Sequence, residues 1–119
     1  MTNRRSAKVV VIGAGGLGSY VGALLARAGH HVILVARGDH LAAIRRDGLH
    51  VESSEGNFDA RPVGVTSALE LSSADLTLLT VKAYSLDDVA DQVAHLARTG
   101  SIIVPLLNGV TACERLVEH

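Results

Sequence analysis

The sequence predicts an α/β fold, a doubly wound and mainly parallel sheet covered by helices. Three observations carry this expectation. Short β-branched runs alternate with helical spacings along the whole chain, which in one sheet implies right-handed crossovers and parallel strands. A glycine-rich turn, residues 13–18, joins the first such run to the first helical spacing. The 119 residues are 48% apolar but only 3% aromatic, so packing has to come from Val, Leu, Ile and Ala, the residues of strands buried on both faces. Domains usually run to roughly 100–150 residues, so the whole stretch 1–119 is one domain.

Taken in order, Val9, Val10, Val11 and Ile12 form a first buried strand ended by glycines. Leu17, Val21, Leu24, Leu25 and Ala28 recur at helical offsets and mark one apolar face of a helix that Gly29 caps in a left-handed conformation. Residues 32–36 are a second strand. Leu41 and Ile44 then belong to a short helix that stops near Gly48, with Asp39 as its cap. Leu49, Val51 and Phe58 flank the turn-rich residues 53–57, a small hairpin, and Val63 and Val65 mark another strand. Ser67 and Glu70 have capping-box spacing before a short helical turn. Residues 76–81 are a strand that Lys82 ends. Leu86, Val89, Ala90, Val93, Leu96 and Ala97 hold helical spacing up to Gly100. Ile102, Ile103 and Val104 open the last strand, with Pro105 at a strand end or an edge because it cannot donate to a ladder. Asn108 and Gly109 turn the chain towards a further helix start at Thr111 and Glu114.

Composition removes several function classes. A formal charge of −1 supplies no basic field and the aromatic shortage leaves no stacking platform, which argues against a nucleic-acid partner. A single cysteine, Cys113, makes neither an internal disulfide nor a cysteine-rich zinc site, as expected in a reducing compartment such as the cytoplasm. Arg4, Arg5 and Lys8 precede an uncharged stretch, 9–26, that resembles a signal peptide or membrane span. Gly13, Gly15, Gly16, Gly18 and Gly22 interrupt it, and each costs about 1 kcal/mol in a helix interior, so no membrane is expected. His30 and His31 read as helix C-terminal cations or solvated side chains. His40, His50, His95 and His119 show no metal spacing, and Cys113 reads as a small buried apolar residue. No metal site is expected.

The chemistry lies at strand ends. Gly13, Ala14, Gly15, Gly16, Leu17 and Gly18 fit G-x-G-x-x-G directly after a strand and opening a helix. In that context the first glycine permits the tight turn, the second lets backbone approach a pyrophosphate, and the third lets the helix lie close to the sheet. A nucleoside triphosphate loop is excluded, because Ser19 stands where that motif requires lysine. The residue ending the second strand selects the adenosine ribose: an acid accepts from the 2′-hydroxyl, whereas an arginine accommodates a 2′-phosphate. Here that residue is Arg37, which points to NADP; the alternatives are a solvated loop cation at 37, or Asp39 near the ribose. Lys82 can reach a cofactor phosphate or a substrate carboxylate, or merely ends a strand. Asn108 can meet a nicotinamide amide or ribose, or serve only as half of an Asn-Gly turn.

Together these residues make a dinucleotide-binding, Rossmann-type domain that resembles the N-terminal domain of the ketopantoate reductase family. The matching segments are residues 11–18 (VIGAGGLG), 28–30 (AGH), 34–38 (LVARG), 80–84 (TVKAY) and 105–110 (PLLNGV), in the right order along nearly the whole chain. The resemblance implies NADPH-dependent reduction of 2-dehydropantoate to pantoate, on the route to pantothenate and coenzyme A. It places the pyrophosphate on residues 13–18, the 2′-phosphate on Arg37, the cofactor's phosphate side on Lys82 and its ribose and nicotinamide region on Asn108. It also implies a second, helical domain, absent from these 119 residues, that supplies the catalytic lysine and most substrate contacts. No catalytic residue is therefore assigned here. Ser85 departs from the glutamine that family members often carry after Lys-Ala-aromatic. Two other readings stand beside this one: a nucleotide-sensing regulatory module without catalysis, and a related dehydrogenase of another 2-oxo acid or secondary alcohol. The oligomeric state is left open, homo-oligomers included.

Overall fold

The computed structural model describes residues 6–13, 16–52, 56–80 and 86–106. Strand β1 (Lys8–Ile12) is followed by helix α1 (Gly16–Arg27), β2 (His31–Val35) and α2 (Gly38–Asp47). A hairpin of β3 (Leu49–Val51) and β4 (Phe58–Ala60) precedes β5 (Val63–Val65) and a single 3-10 turn (Ala68–Glu70). The chain then forms β6 (Leu76–Leu79), α3 (Leu86–Arg98) and β7 (Ile102–Pro105).

Among the described residues five strands form one sheet in the order β5-β2-β1-β6-β7, and each of their pairings is parallel. The alternation of side chains along each strand sorts the core into two layers. Val10 and Ile12 join Ile33, Val35 and Leu79 on the face covered by Val89 and Leu96 of α3. Val9 and Val11 join Val32, Leu34 and Leu78 on the opposite face, covered by Ile44 of α2 with Val21 and Leu25 of α1. A right-handed crossover from β1 to β2 and another from β6 to β7 run in opposite directions along the sheet, so α1 and α3 must lie on opposite faces. Strand order therefore reverses between β1 and β6.

Polar groups fasten α3 and β7 to this frame. Thr77 and Ser101 share a buried hydrogen bond of 2.7 Å. The Ala68 N–H donates to Gln92 Oε1 at 2.7 Å, and His95 Nε2–H donates to the Leu71 carbonyl at the same distance. The capping box expected at Ser67 and Glu70 is formed in both directions. Residues 9–26, which look like a membrane span when read linearly, divide into β1, the glycine turn and α1. Among the described residues no helix is long and apolar enough to cross a membrane.

Four local expectations need correction. The fully buried positions of α1 are Gly18, Gly22 and Ala23, while Leu17, Val21, Leu24 and Leu25 are half-buried and Ala28 is exposed. Valines and leucines of the sheet already fill the layer, so the helix approaches through residues that have almost no side chain: a Cβ on Gly22 would lie 2.9 Å from Leu34 Cδ2. Likewise Ala90 and Ala97 of α3 are exposed, and among its described side chains Val89, Val93 and Leu96 pack on the core, the Leu86 side chain lying outside them. Asp39 does not cap α2; Arg37 holds that position without a side-chain cap bond, and Asp39 lies in the first turn, where its charge complements the helix dipole. His30 is not a free solvated side chain, because its Nδ1 accepts the Ala7 N–H at 3.0 Å. Gly29 does cap α1, with φ +101, and the bonds from its N–H to Ala26 and from His30 N–H to Leu25 complete a Schellman motif. Val81, Cys113, His119 and the helix start at Thr111 lie outside the described residues.

Candidate nucleotide-binding site

The carboxyl ends of β1 and β6 meet where strand order reverses, the place where open parallel sheets bind ligands. Gly13 follows β1 with φ +95, a conformation that glycine adopts at no steric cost. Helix α1 begins at Gly16 with no acidic residue in its first turn, so no carboxylate there opposes its positive end. Among the described residues nothing lies within 4 Å of a Cβ added at Gly16.

Thr80, the residue after β6, closes this corner from the side of the sheet. Its N–H donates to the Ile12 carbonyl at 2.9 Å. Its hydroxyl lies 3.2 Å from the same oxygen and donates to the Gly13 carbonyl. Gly18 makes that approach possible: a Cβ there would crowd the Gly13 carbonyl oxygen and sit 2.5 Å from Thr80 Oγ1 and 3.1 Å from Val11 Cγ1. Further along the same end of the sheet, Arg37 follows β2 with extended backbone (φ −135, ψ 160) and an exposed side chain. A left-handed glycine directly after β1, a helix amino end without an acidic residue, and an exposed cation beyond the neighbouring strand fit a dinucleotide.

The family model for ketopantoate reductase PanE/ApbA matches residues 9–119. The chain belongs to the ketopantoate reductase family. It is 41% identical over 115 residues to the 2-dehydropantoate 2-reductase of Archaeoglobus fulgidus, covering 97% of this chain and 37% of that protein. Against the 2-dehydropantoate 2-reductase of Pyrococcus horikoshii it is 36% identical over 111 residues, covering 93% of this chain and 36% of that one. The crystal structure of 2-dehydropantoate 2-reductase from Porphyromonas gingivalis superposes with a TM-score of 0.76 at 34% identity, over 94% of this chain and 42% of that chain. A ternary structure of D-mandelate dehydrogenase with NADH and anilino(oxo)acetate superposes with a TM-score of 0.73 at 26% identity, over 92% and 36% of the two chains. The ketopantoate reductase segment described here thus spans little more than a third of these curated relatives, 37% and 36% of their lengths.

Within this ketopantoate reductase domain the structure brings Gly13, Gly16, Leu17 and Gly18 to the corner between β1 and β6, and sets Arg37 at the end of the adjacent β2. Ala14, Gly15, Lys82 and Asn108 lie outside the described residues. Reading the glycine motif alone passes over Thr80, whose one visible signal is a hydroxyl residue at the end of an apolar strand, Leu76–Leu79. A groove of about 310 Å³, lined among others by Arg27, His30, Asp59 and Arg61, opens at the amino ends of β2 and β5. It lies at the other end of the sheet from the glycine turn and takes no part in the site.

Proposed function

We propose that this chain is the NADPH-binding domain of a cytoplasmic oxidoreductase that reduces 2-dehydropantoate to pantoate, on the route to pantothenate and coenzyme A. The observation that carries the reading is the family match over residues 9–119, laid on a parallel sheet whose reversal point coincides with the glycine turn. Residues 13–18, that is Gly13, Ala14, Gly15, Gly16, Leu17 and Gly18, hold the pyrophosphate through backbone amides and the positive end of α1. Arg37 binds the 2′-phosphate through charge-assisted hydrogen bonds, Lys82 supports the cofactor's phosphate side, and Asn108 orients its ribose and nicotinamide region. Bound NADPH supplies the hydride for the 2-oxo group. The proton donor and the substrate contacts belong to a second, helical domain beyond these 119 residues. Neither a nucleic acid nor a membrane is a partner in this reading.

Calorimetric titration with NADPH, NADH and ATP tests the proposal. Hydrogen bonds to a charged group contribute roughly 1.5–3 kcal/mol, so NADPH should bind about 10- to 150-fold more tightly than NADH, and ATP should compete poorly. Equal affinity for the two dinucleotides overturns the assignment of NADP to Arg37, and tighter binding of ATP favours a nucleotide sensor. The NADH-bound D-mandelate dehydrogenase neighbour supports a second reading, a related dehydrogenase of another 2-oxo acid. A preference for NADH would select it.

A further inference from the structure

We propose that Thr80 is a positioning residue for the dinucleotide: its hydroxyl sets the orientation of the Gly13 peptide and so keeps the glycine turn ready to receive a pyrophosphate. The inference rests on the dinucleotide reading above and deepens it. A glycine followed by a peptide with no bulky neighbour can rotate that peptide through a wide range. Two orientations matter electrically. In one, the carbonyl oxygen faces the mouth of the turn and repels an anion; in the other, it faces the sheet and leaves the mouth to amide hydrogens. The Gly13 carbonyl takes the second direction, away from the mouth. The Gly13 carbonyl accepts the Thr80 hydroxyl, and its oxygen is tucked between that hydroxyl and the bare Cα of Gly18.

Backbone pairing does not supply this restraint. The ladder between β1 and β6 ends with Ile12 opposite Leu79, and the Thr80 N–H is spent on the Ile12 carbonyl. The hydroxyl is the group that reaches one peptide further, into the turn itself. Gly18 acquires a second duty in the same device. Besides letting α1 approach the sheet, it leaves the volume that Thr80 Oγ1 occupies, which a Cβ at 2.5 Å would contest. A turn restrained before the ligand arrives has less to reorganise when it binds, so the restraint appears as affinity.

The test is calorimetry of Thr80→Ala, Thr80→Val and Thr80→Ser with NADPH and NADH, beside thermal melts of each variant. Removing the hydroxyl should weaken NADPH and NADH alike by roughly three- to tenfold, at unchanged stoichiometry and with the preference between them intact. Thr80→Ser, which restores the hydroxyl, should bind within about twofold of the parent chain. If a merely structural role were at work, misfolded protein would lower the stoichiometry and leave the affinity of the remainder alone. That result, or hydroxyl-free variants that bind as tightly as the parent, or a serine variant as weak as the alanine one, overturns the proposal. Should the parent chain bind neither dinucleotide, the functional reading falls and this one with it.

Discussion

Gly18 and Gly22 lie on the same side of α1, and an added methyl group meets different matter at each. At Gly18 it would crowd the Thr80 hydroxyl and the backbone oxygen of Gly13, an atom that moves only with the chain. At Gly22 it would meet the end of the Leu34 side chain at 2.9 Å and Val32 Cγ1 at 3.5 Å, atoms that a small rotation moves aside. Overpacking costs typically 1–3 kcal/mol, and alanine regains about 1 kcal/mol of helix propensity over glycine. Gly18→Ala should therefore lose up to about 2 kcal/mol in chemical denaturation and bind NADPH more weakly, while Gly22→Ala should stay within about 1 kcal/mol of the parent. A larger loss at Gly22 would mean that helix packing, not the turn, sets the demand for glycine. At Arg37 the expectation concerns selectivity. Its exposed side chain packs against no core cluster, so Arg37→Ala should remove the preference for NADPH, leave NADH affinity almost unchanged and keep the melting temperature. Loss of both dinucleotides together would show that the arginine supports the fold of the turn instead.

Among the described elements, the hairpin of β3 and β4 should lose stability as pH rises. It lies on α1 through Val51, Ala60 and Ala23, with the Arg27 guanidinium 4.1 Å from the centre of the Phe58 ring. His50 and Asp59 are cross-strand partners, and His50 Nδ1–H donates to Asp59 Oδ1 at 2.6 Å, with Glu52 Oε1 3.7 Å from the other ring nitrogen. The hydrogen bond to Asp59, more than the charges nearby, raises the His50 pKa above its ordinary 6.5. A raised folded-state value means the pair's contribution is complete below about pH 6.5 and is lost as pH climbs through the raised value. Both side chains are more than half exposed, so the effect is small and local. Amide exchange in β3 and β4, corrected for intrinsic rates, should quicken above that range, and Asp59→Asn should flatten the profile while returning the His50 titration towards its ordinary value. A hairpin whose protection does not change across the His50 titration would contradict this. The 3-10 turn responds in the opposite sense, because hydrogen bonds from Thr66 and from the Ser67 backbone lower the Glu70 pKa.

At the scale of the whole molecule, the proposed function separates binding from catalysis. Reduction of a ketone puts negative charge on its oxygen, so an acid must be positioned to give up a proton and the carbonyl must be held in register. The residues that the sequence places at strand ends and that could serve are Lys82 and Asn108. An amide such as Asn108 does not surrender a proton, and Lys82 is assigned to the cofactor's phosphates. Proton transfer by a positioned group is worth typically 10²–10⁴-fold, and orientation as much as about 7–11 kcal/mol. The 119-residue chain saturated with NADPH should therefore show no reduction of 2-dehydropantoate above background when NADPH absorbance is followed. Turnover that survives rigorous purification and vanishes in Lys82→Ala would place the acid in this domain.

What the amino-acid sequence determined by itself is whatever depends on near neighbours along the chain. The glycine turn is legible because Gly13 needs φ +95 and the strand before it and the helix after it are each written in a few residues. The Ser67–Glu70 box and the Gly29 cap are closed by groups within five positions of one another, and the hairpin by a turn-rich stretch between two short apolar ones. The end of β2 follows from period and length, which is why Arg37 could be named. Tertiary structure alone decided the rest. Thr80 meets Gly13 across 67 positions, His30 meets Ala7 across 23, and the face of α1 that packs is chosen by how full the sheet already is. Spacing records which residues share a face of one element. It holds no information about which strand lies beside which, and the order β5-β2-β1-β6-β7 is what carries a hydroxyl at the end of β6 to the carbonyl at the end of β1.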